Sequence, residues 1–296
     1  MIGSVSRLRV MPAIDVGGTQ LEFEVTGRPD GGTLMLLHGA GGSASQWREI
    51  AAYLGHRFRV VMPKLRGYGE STPWVRGEIP KLETEADGII QLINAFGGHA
   101  HLVGHGYGAS VALRVGLVAP HRVSGVTAIE PASFHLLRSG LEADRNIYTS
   151  VAQLAVALAQ AAMSGGKTAG VERFVEFFSG RGTWAQINTE TRRRMCRRIM
   201  AIACNVCALA QDRMTLDDYA GYDLPVVIVT GDRTQPPVRR VAERLRSYLP
   251  GARQDWLLNA GHMAAMTTHA DTVAEMIASH VGVNMYITKQ QDVVAA

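Results

Sequence analysis

Cysteine is scarce in this chain of 296 residues: Cys196, Cys204 and Cys207 are three, an odd number and a poor basis for a disulfide framework. All three fall in one expected helix, where free cysteine is ordinarily just buried. Residues 204–207 spell C-x-x-C, yet a structural zinc site needs four ligands and a thioredoxin-type motif needs a strand-to-helix turn before it. No metal is expected, and a reducing, cytoplasmic compartment fits this cysteine usage. Unbroken apolar runs are short, none approaching the about 18 residues of a membrane span. The opening M-I-G-S-V-S-R-L-R-V has no long apolar region and no small-residue cleavage site, so the expectation is a soluble, unexported protein with no membrane partner. Charge of one sign is not in excess either. Thirty Lys and Arg against 26 Asp and Glu leave +4, spread along the chain without the basic tail of a nucleic-acid binder. Internal repeats and low-complexity tracts are absent.

What is present is an alternation. Apolar runs at 19–25, 33–37, 58–62, 101–103, 123–129, 225–230 and 254–258 read as strands. Between them, residues 46–53, 80–96, 107–119 and 271–280 carry helical periodicity, and a further helix follows Thr234 with Pro236 and Pro237 in its opening turn. Strand-helix alternation of this kind is the signature of a parallel sheet covered by helices on both faces, an α/β class. From about 132 to 219 strands vanish and helical segments dominate. The expected division is a core of 1–131 and 220–296 with a helical cap of 132–219. The tail after Val283 carries little signal.

The most informative absence lies at residues 102–109, L-V-G-H-G-Y-G-A. In the motif G-x-S-x-G, a serine nucleophile stands on a tight turn between a strand and a helix, framed by two glycines. Gly104 and Gly108 supply the frame, and the centre is Gly106. Three further features follow strands in order: H-G-A-G-G at 38–42, Glu130-Pro131, and N-A-G-H-M at 259–263.

On these motifs the chain resembles the α/β-hydrolase family over roughly residues 15–285, most closely a bacterial branch with an E-P pair after the strand following the elbow. The resemblance implies an α/β-hydrolase fold with a mostly parallel central sheet and a helical cap, and no cofactor. It implies His262 as the catalytic histidine, with an oxyanion hole formed by the backbone N–H groups of Tyr107 and Ala40. Each such donor is typically worth roughly 3 to 4 kcal/mol when aimed at a developing negative oxygen. Many relatives carry the acid three residues after the glycine that ends the penultimate strand, where this chain has Thr234. Others carry it after the strand following the elbow, which points to Glu130, with Asp232 in reserve. The acid would hold the imidazole in one tautomer. His38 belongs to a loop whose histidine is structural in the family. Lys64 stands where relatives often have aspartate.

A glycine has no atom to attack with, so an acyl-enzyme at Gly106 is excluded. Ser43, Ser45 and Ser110 lie near the motif without occupying its tip, and the His105 side chain is expected to point away from the cleft. Three functions remain open. The first is a cofactor-independent enzyme acting on an apolar, carbonyl-bearing small molecule by histidine proton transfer and oxyanion stabilisation, as a lyase, decarboxylase, cyclase or water-attack hydrolase. The second is a serine ester or C–C hydrolase whose nucleophile has been mutated to glycine, and the third is a non-catalytic, receptor-like binding protein. A rival dinucleotide fingerprint, G-x-G-x-x-A at 104–109 with Glu130 as the ribose acid, would leave the C-terminal G-H without a task. Phe134, Phe178 and Trp184 are expected to line an apolar substrate pocket under the cap, with Phe174 and Phe177 nearby. Arg192, Arg193, Arg194, Arg197 and Arg198 are expected mostly on a solvated helix face, because Met195, Ile199, Ile202, Val206 and Leu209 form an apolar stripe. Oligomeric state is not legible.

Overall fold

Val, Ile and Leu crowd the segments that become strands, because β-branched and other apolar side chains fit a pleated, covered surface. The structure, a computed structural model, describes residues 9–16, 18–75 and 77–294. Its strands are β1 (Arg9–Val16), β2 (Thr19–Gly27), β3 (Thr33–Leu37), β4 (Arg59–Pro63), β5 (Ala100–His105), β6 (Val123–Ile129), β7 (Val226–Gly231) and β8 (Arg253–Leu257). They form one eight-stranded sheet in the order β1-β2-β4-β3-β5-β6-β7-β8. From β4 through β8 every pairing is parallel, and β2 runs antiparallel to both β1 and β4.

The helices are α1 (Arg48–Leu54), α2 (Leu82–Ala95), α3 (Tyr107–Val118), α4 (Glu142–Ser164), α5 (Lys167–Ser179), α6 (Thr183–Gln186), α7 (Thr189–Arg197), α8 (Ile199–Gln211), α9 (Pro236–Tyr248) and α10 (Ala270–Val294). Every residue of β3, β5 and β7 is buried, as in a sheet covered on both faces. Alternate residues serve opposite cores. Leu34 and Leu36 of β3 join α1 and α10 on one side, while Met35 and Leu37 join α2, α3 and α9 on the other.

Sheet positions read from sequence match to within two or three residues, and the departures have causes. β1 carries Pro12, which cannot donate a ladder hydrogen bond; it is tolerated because β1 is the sheet edge, with a register shift between Met11 and Ile14. The closing helix runs past 280 to Val294. Gln235 is the N-cap residue of α9, and the Thr234 hydroxyl beside it donates to Glu130.

Among the described residues only helical segments lie between β6 and β7. The single helix expected to hold all three cysteines is two: Cys196 is in α7, Cys204 and Cys207 are in α8, and the helix is interrupted at Arg198. All three thiols are free and half-buried. The sequence shows no unbroken apolar span, yet α4 is long and apolar enough in length and composition to cross a membrane. Its apolar content is alanine-rich and interrupted by Gln153 and Gln160, and it packs on α5 and α8.

Candidate active site

The turn between β5 and α3 is built by three glycines with different reasons to be glycine. Gly106 sits at φ 55°, ψ −111°, a conformation that side-chain-bearing residues adopt only under strain. Its N–H donates to the Ile129 carbonyl at 2.9 Å. A Cβ on Gly104 would lie 2.3 Å from the Gly108 carbonyl oxygen, and one on Gly108 would lie 2.2 Å from that of Leu37. Those two positions have no room for a side chain. A Cβ on Gly106 would instead stand 3.4 Å from both Cε1 and Nε2 of His262, an ordinary contact. The centre of the motif thus has space, and that space faces an imidazole.

His262 lies in the loop after β8 and is buried. Its Nδ1 is 3.2 Å from Oε2 of Glu130, the residue that follows β6. Glu130 is one of two non-glycine residues with positive φ among those described, at 51°, and its N–H donates to the Val229 carbonyl at 2.8 Å. Its Oε1 accepts from the Gly231 N–H and the Thr234 hydroxyl, each at 2.6 Å. A fully buried carboxylate with three donors is satisfied as an acceptor-only anion. With Nδ1–H donating to Glu130, the Nε2 lone pair of His262 faces the space over Gly106. Phe178 and His105 flank the imidazole, with ring centroids at 5.0 and 4.7 Å. Asp232 is exposed; its Oδ1 accepts from the Ala260 N–H at 3.1 Å, and backbone donors at Asn259 and Ala260 hold its carboxyl below the usual range. It braces the loop that carries His262, whereas Glu130 meets the ring.

Ala40 and Tyr107 border this space as well. Tyr107 opens α3, so its N–H has no intrahelical acceptor. Ala40 lies in the Gly39–Gly42 loop, whose shape is fixed by neighbours on three elements. The Tyr68 hydroxyl accepts from the Gly41 N–H at 2.8 Å and donates to Asn205 Oδ1 on α8 at 2.6 Å. Arg198 donates from Nη1 to the carbonyls of Gly41 at 3.2 Å and Gly42 at 2.8 Å. His38 bonds the Gly39 carbonyl through Nδ1 and accepts the Leu65 N–H at Nε2; burial pushes its pKa down to about 4 and keeps it neutral. Below, the Tyr107 hydroxyl donates to Glu85, whose burial pushes its carboxyl up to about 7.

A cavity of about 580 Å³ opens over these groups, within the usual range for small-molecule sites. Of the three aromatics expected to line it, Phe178 does. Phe134 and Trp184 do not: Phe134 packs behind Phe178, and Trp184 is buried in the cap beneath the Arg192 guanidinium. Phe174, Val175, Met195 and Met266 take their place. His105 was expected to point away from the cleft. It instead borders the cavity, buried, with Nε2–H donating to the His262 carbonyl at 3.0 Å, and burial pushes it down to about 3. Arg198 departs from the solvated face expected of its helix. Sequence reading also missed Tyr68 and Asn205; the only trace was Tyr68 within the turn L-R-G-Y-G. The dinucleotide reading loses its ribose acid, because Glu130 is fully buried and already bonded.

Residues 34–276 match the family profile described as Alpha/beta hydrolase family. Curated relatives match over shorter stretches. The dihydrolipoyllysine-residue acetyltransferase component of the acetoin cleaving system of Pseudomonas putida is 33% identical over 119 residues, 40% of this chain and 32% of that protein. Epoxide hydrolase B of Mycobacterium tuberculosis is 32% identical over 116 residues, 38% of this chain and 33% of that protein. The match therefore spans about a third of the length of these relatives. Among solved structures, the enol-lactonase of Burkholderia xenovorans LB400 superposes with a TM-score of 0.71 at 17% identity, covering 92% of this chain and all of that one. The 2-hydroxy-6-oxo-6-phenylhexa-2,4-dienoate hydrolase of Rhodococcus sp. strain RHA1 does so with 0.68 at 20%, covering 93% and 99%.

Proposed function

The chain belongs to the alpha/beta hydrolase family, and from that premise we propose that it is a cofactor-independent enzyme that acts on an apolar, carbonyl-bearing small molecule without an acyl-enzyme. The observation that carries this reading is the Nε2 face of His262: it looks onto open space over Gly106 while Glu130 holds Nδ1. In the proposed step the Nε2 lone pair takes a proton from the carbon beside a substrate carbonyl, or from a water. The C–H electron pair moves into the carbonyl, whose oxygen becomes an enolate oxygen. The N–H groups of Ala40 and Tyr107 hold that negative oxygen, and the Glu130 carboxylate stabilises the imidazolium. Expulsion of a leaving group from the carbon next to the enolate completes a lyase reaction, and attack of the enolate carbon on a second carbonyl of the same molecule completes a cyclase reaction; in a decarboxylase the same N–H groups would hold the enolate formed as CO2 leaves, and protonated His262 would then give its proton to the carbon.

The serines beside the motif and His105 are not placed as substitute nucleophiles. Ser43 and Ser45 bond one another at 2.7 Å, Ser110 is fully buried, and the His105 ring is held in place by its bond to the His262 carbonyl. A second reading, a serine hydrolase lacking its nucleophile through substitution, is favoured by one observation: the room for a Cβ at Gly106 opposite Nε2.

The test is proton exchange. In deuterated water, 4-phenylbutan-2-one should lose its α-protons faster with the protein than without it, read by proton NMR, and His262→Ala should remove the acceleration while the fold is kept. Exchange at the background rate, or exchange indifferent to His262→Ala, overturns the proposal and favours the receptor-like or lost-nucleophile readings.

A further inference from the structure

The cavity wall combines two chemistries. Phe174, Val175, Phe178, Met195 and Met266 give it an apolar lining. Arg48, Arg194 and Arg198 line it as well, from the α1 terminus and from the α7–α8 break. Among the described residues none of the three has a carboxylate within 4 Å. The neighbouring Arg197 does, pairing with Glu190, so the lack of a partner is not general to this helix.

Arg198 is the informative member. It is half-buried and spends Nη1 on the Gly41 and Gly42 carbonyls, while its Nε and Nη2 have no protein acceptor among the described residues. Arg194 uses one nitrogen on the Thr191 hydroxyl at 3.1 Å, and Arg48 has no side-chain hydrogen bond. Glu49 also lines the cavity and offsets part of the charge without bonding any of the three. A guanidinium offers five donors in a planar fork that fits a carboxylate in bidentate fashion. Unused donors on three guanidinium groups that line one largely apolar cavity fit a ligand with an apolar body and one anionic end.

We propose that Arg198, Arg194 and Arg48 form an anion subsite, and that the substrate carries a carboxylate that docks there while its carbonyl lies between His262 and the Ala40 and Tyr107 N–H groups. The placement of the carbonyl rests on the function proposed above; the carboxylate subsite itself does not. The pairing selects among carbonyl compounds by charge and fixes the direction in which the substrate enters. It also couples binding to the catalytic loop, since Arg198 holds the Gly41 and Gly42 carbonyls with its remaining nitrogen.

Direct binding tests the subsite separately from turnover. By isothermal titration calorimetry, 6-phenylhexanoate should bind about tenfold or more tighter than 6-phenylhexan-1-ol, which keeps the apolar body and lacks the charge. That preference should shrink with added salt. The double substitution Arg48→Gln with Arg194→Gln, which leaves the Arg198 contacts to the loop intact, should reduce the preference by several-fold, and Arg197→Gln should leave it unchanged. His262→Ala should still bind the carboxylate selectively, so a failed exchange test and a failed subsite remain distinguishable. Equal affinity for the two probes, binding of neither at millimolar concentration, or a double variant as selective as the parent overturns the proposal.

Discussion

The two walls of the site are built from different materials. On the elbow side, Gly104, Gly106 and Gly108 present main-chain atoms, with shape set by crowding and backbone hydrogen bonds. On the other side, Glu130 and His262 present side chains, with both Glu130 oxygens and the His262 Nδ1 bonded to named partners. One wall can lose a side chain without losing its form, because the form never resided there. The other cannot: every bond of the Glu130 carboxylate depends on the group that would be removed.

The largest expected effect is on the side-chain wall. His262→Ala should lower turnover by roughly a hundredfold to ten-thousandfold, the usual range for a positioned base, with the fold intact by circular dichroism. Glu130→Gln should approach that loss by a different route. If the amide oxygen keeps the Gly231 and Thr234 donors, the amide NH₂ faces Nδ1, which turns His262 to the tautomer with its proton on Nε2. A Glu130→Gln variant as active as the parent would mean that the acid lies elsewhere.

Next come the glycines, where the comparison is sharpest. Gly108→Ala places a methyl 2.2 Å from a backbone oxygen and should destabilise the fold by about 3 kcal/mol or more, or prevent folding. Gly106→Ala meets only ordinary contacts and should cost about 1 to 2 kcal/mol, through its positive φ. Urea denaturation separates them. Similar losses at both positions would break the distinction between a crowded glycine and an open one.

The smallest effect concerns Glu85 beneath Tyr107. Its carboxyl is raised from 4.5 to about 7, so between these pH values the folded state binds more protons than the unfolded one, and this group's contribution to stability falls as pH rises through that window. His38 and His105, pushed down to about 4 and about 3, act in the opposite direction below pH 6.5. The difference between the parent and Glu85→Gln isolates the carboxyl: it should change between pH 5 and 7 and be flat above pH 8.

The parts legible in the sequence were those set by local rules. β3 and β6 have the residues that the sequence pattern predicts, and Gly106, Glu130 and His262 each follow a strand where chain order puts them. The parts that were not legible depend on long-range packing. β1 is masked by Pro12, which is acceptable only because the strand turns out to be an edge. Phe134 and Trp184 look the same in sequence as Phe178, and only the cap's packing decides which of the three faces the cavity. The break at Arg198 is hidden because the apolar spacing runs through it, and its consequence is that one arginine leaves the solvated face and grips the Gly41–Gly42 backbone.

If the elbow and the histidine keep the geometry of a nucleophilic site around Gly106, a serine placed there reacts. Labelling of Gly106→Ser by a fluorophosphonate, read by intact-protein mass, tests it directly. The parent should stay unlabelled, Gly106→Ser should gain a single adduct on the introduced serine, and adding His262→Ala should abolish it. A well-folded Gly106→Ser variant that fails to label, or a parent that labels, would contradict the claim.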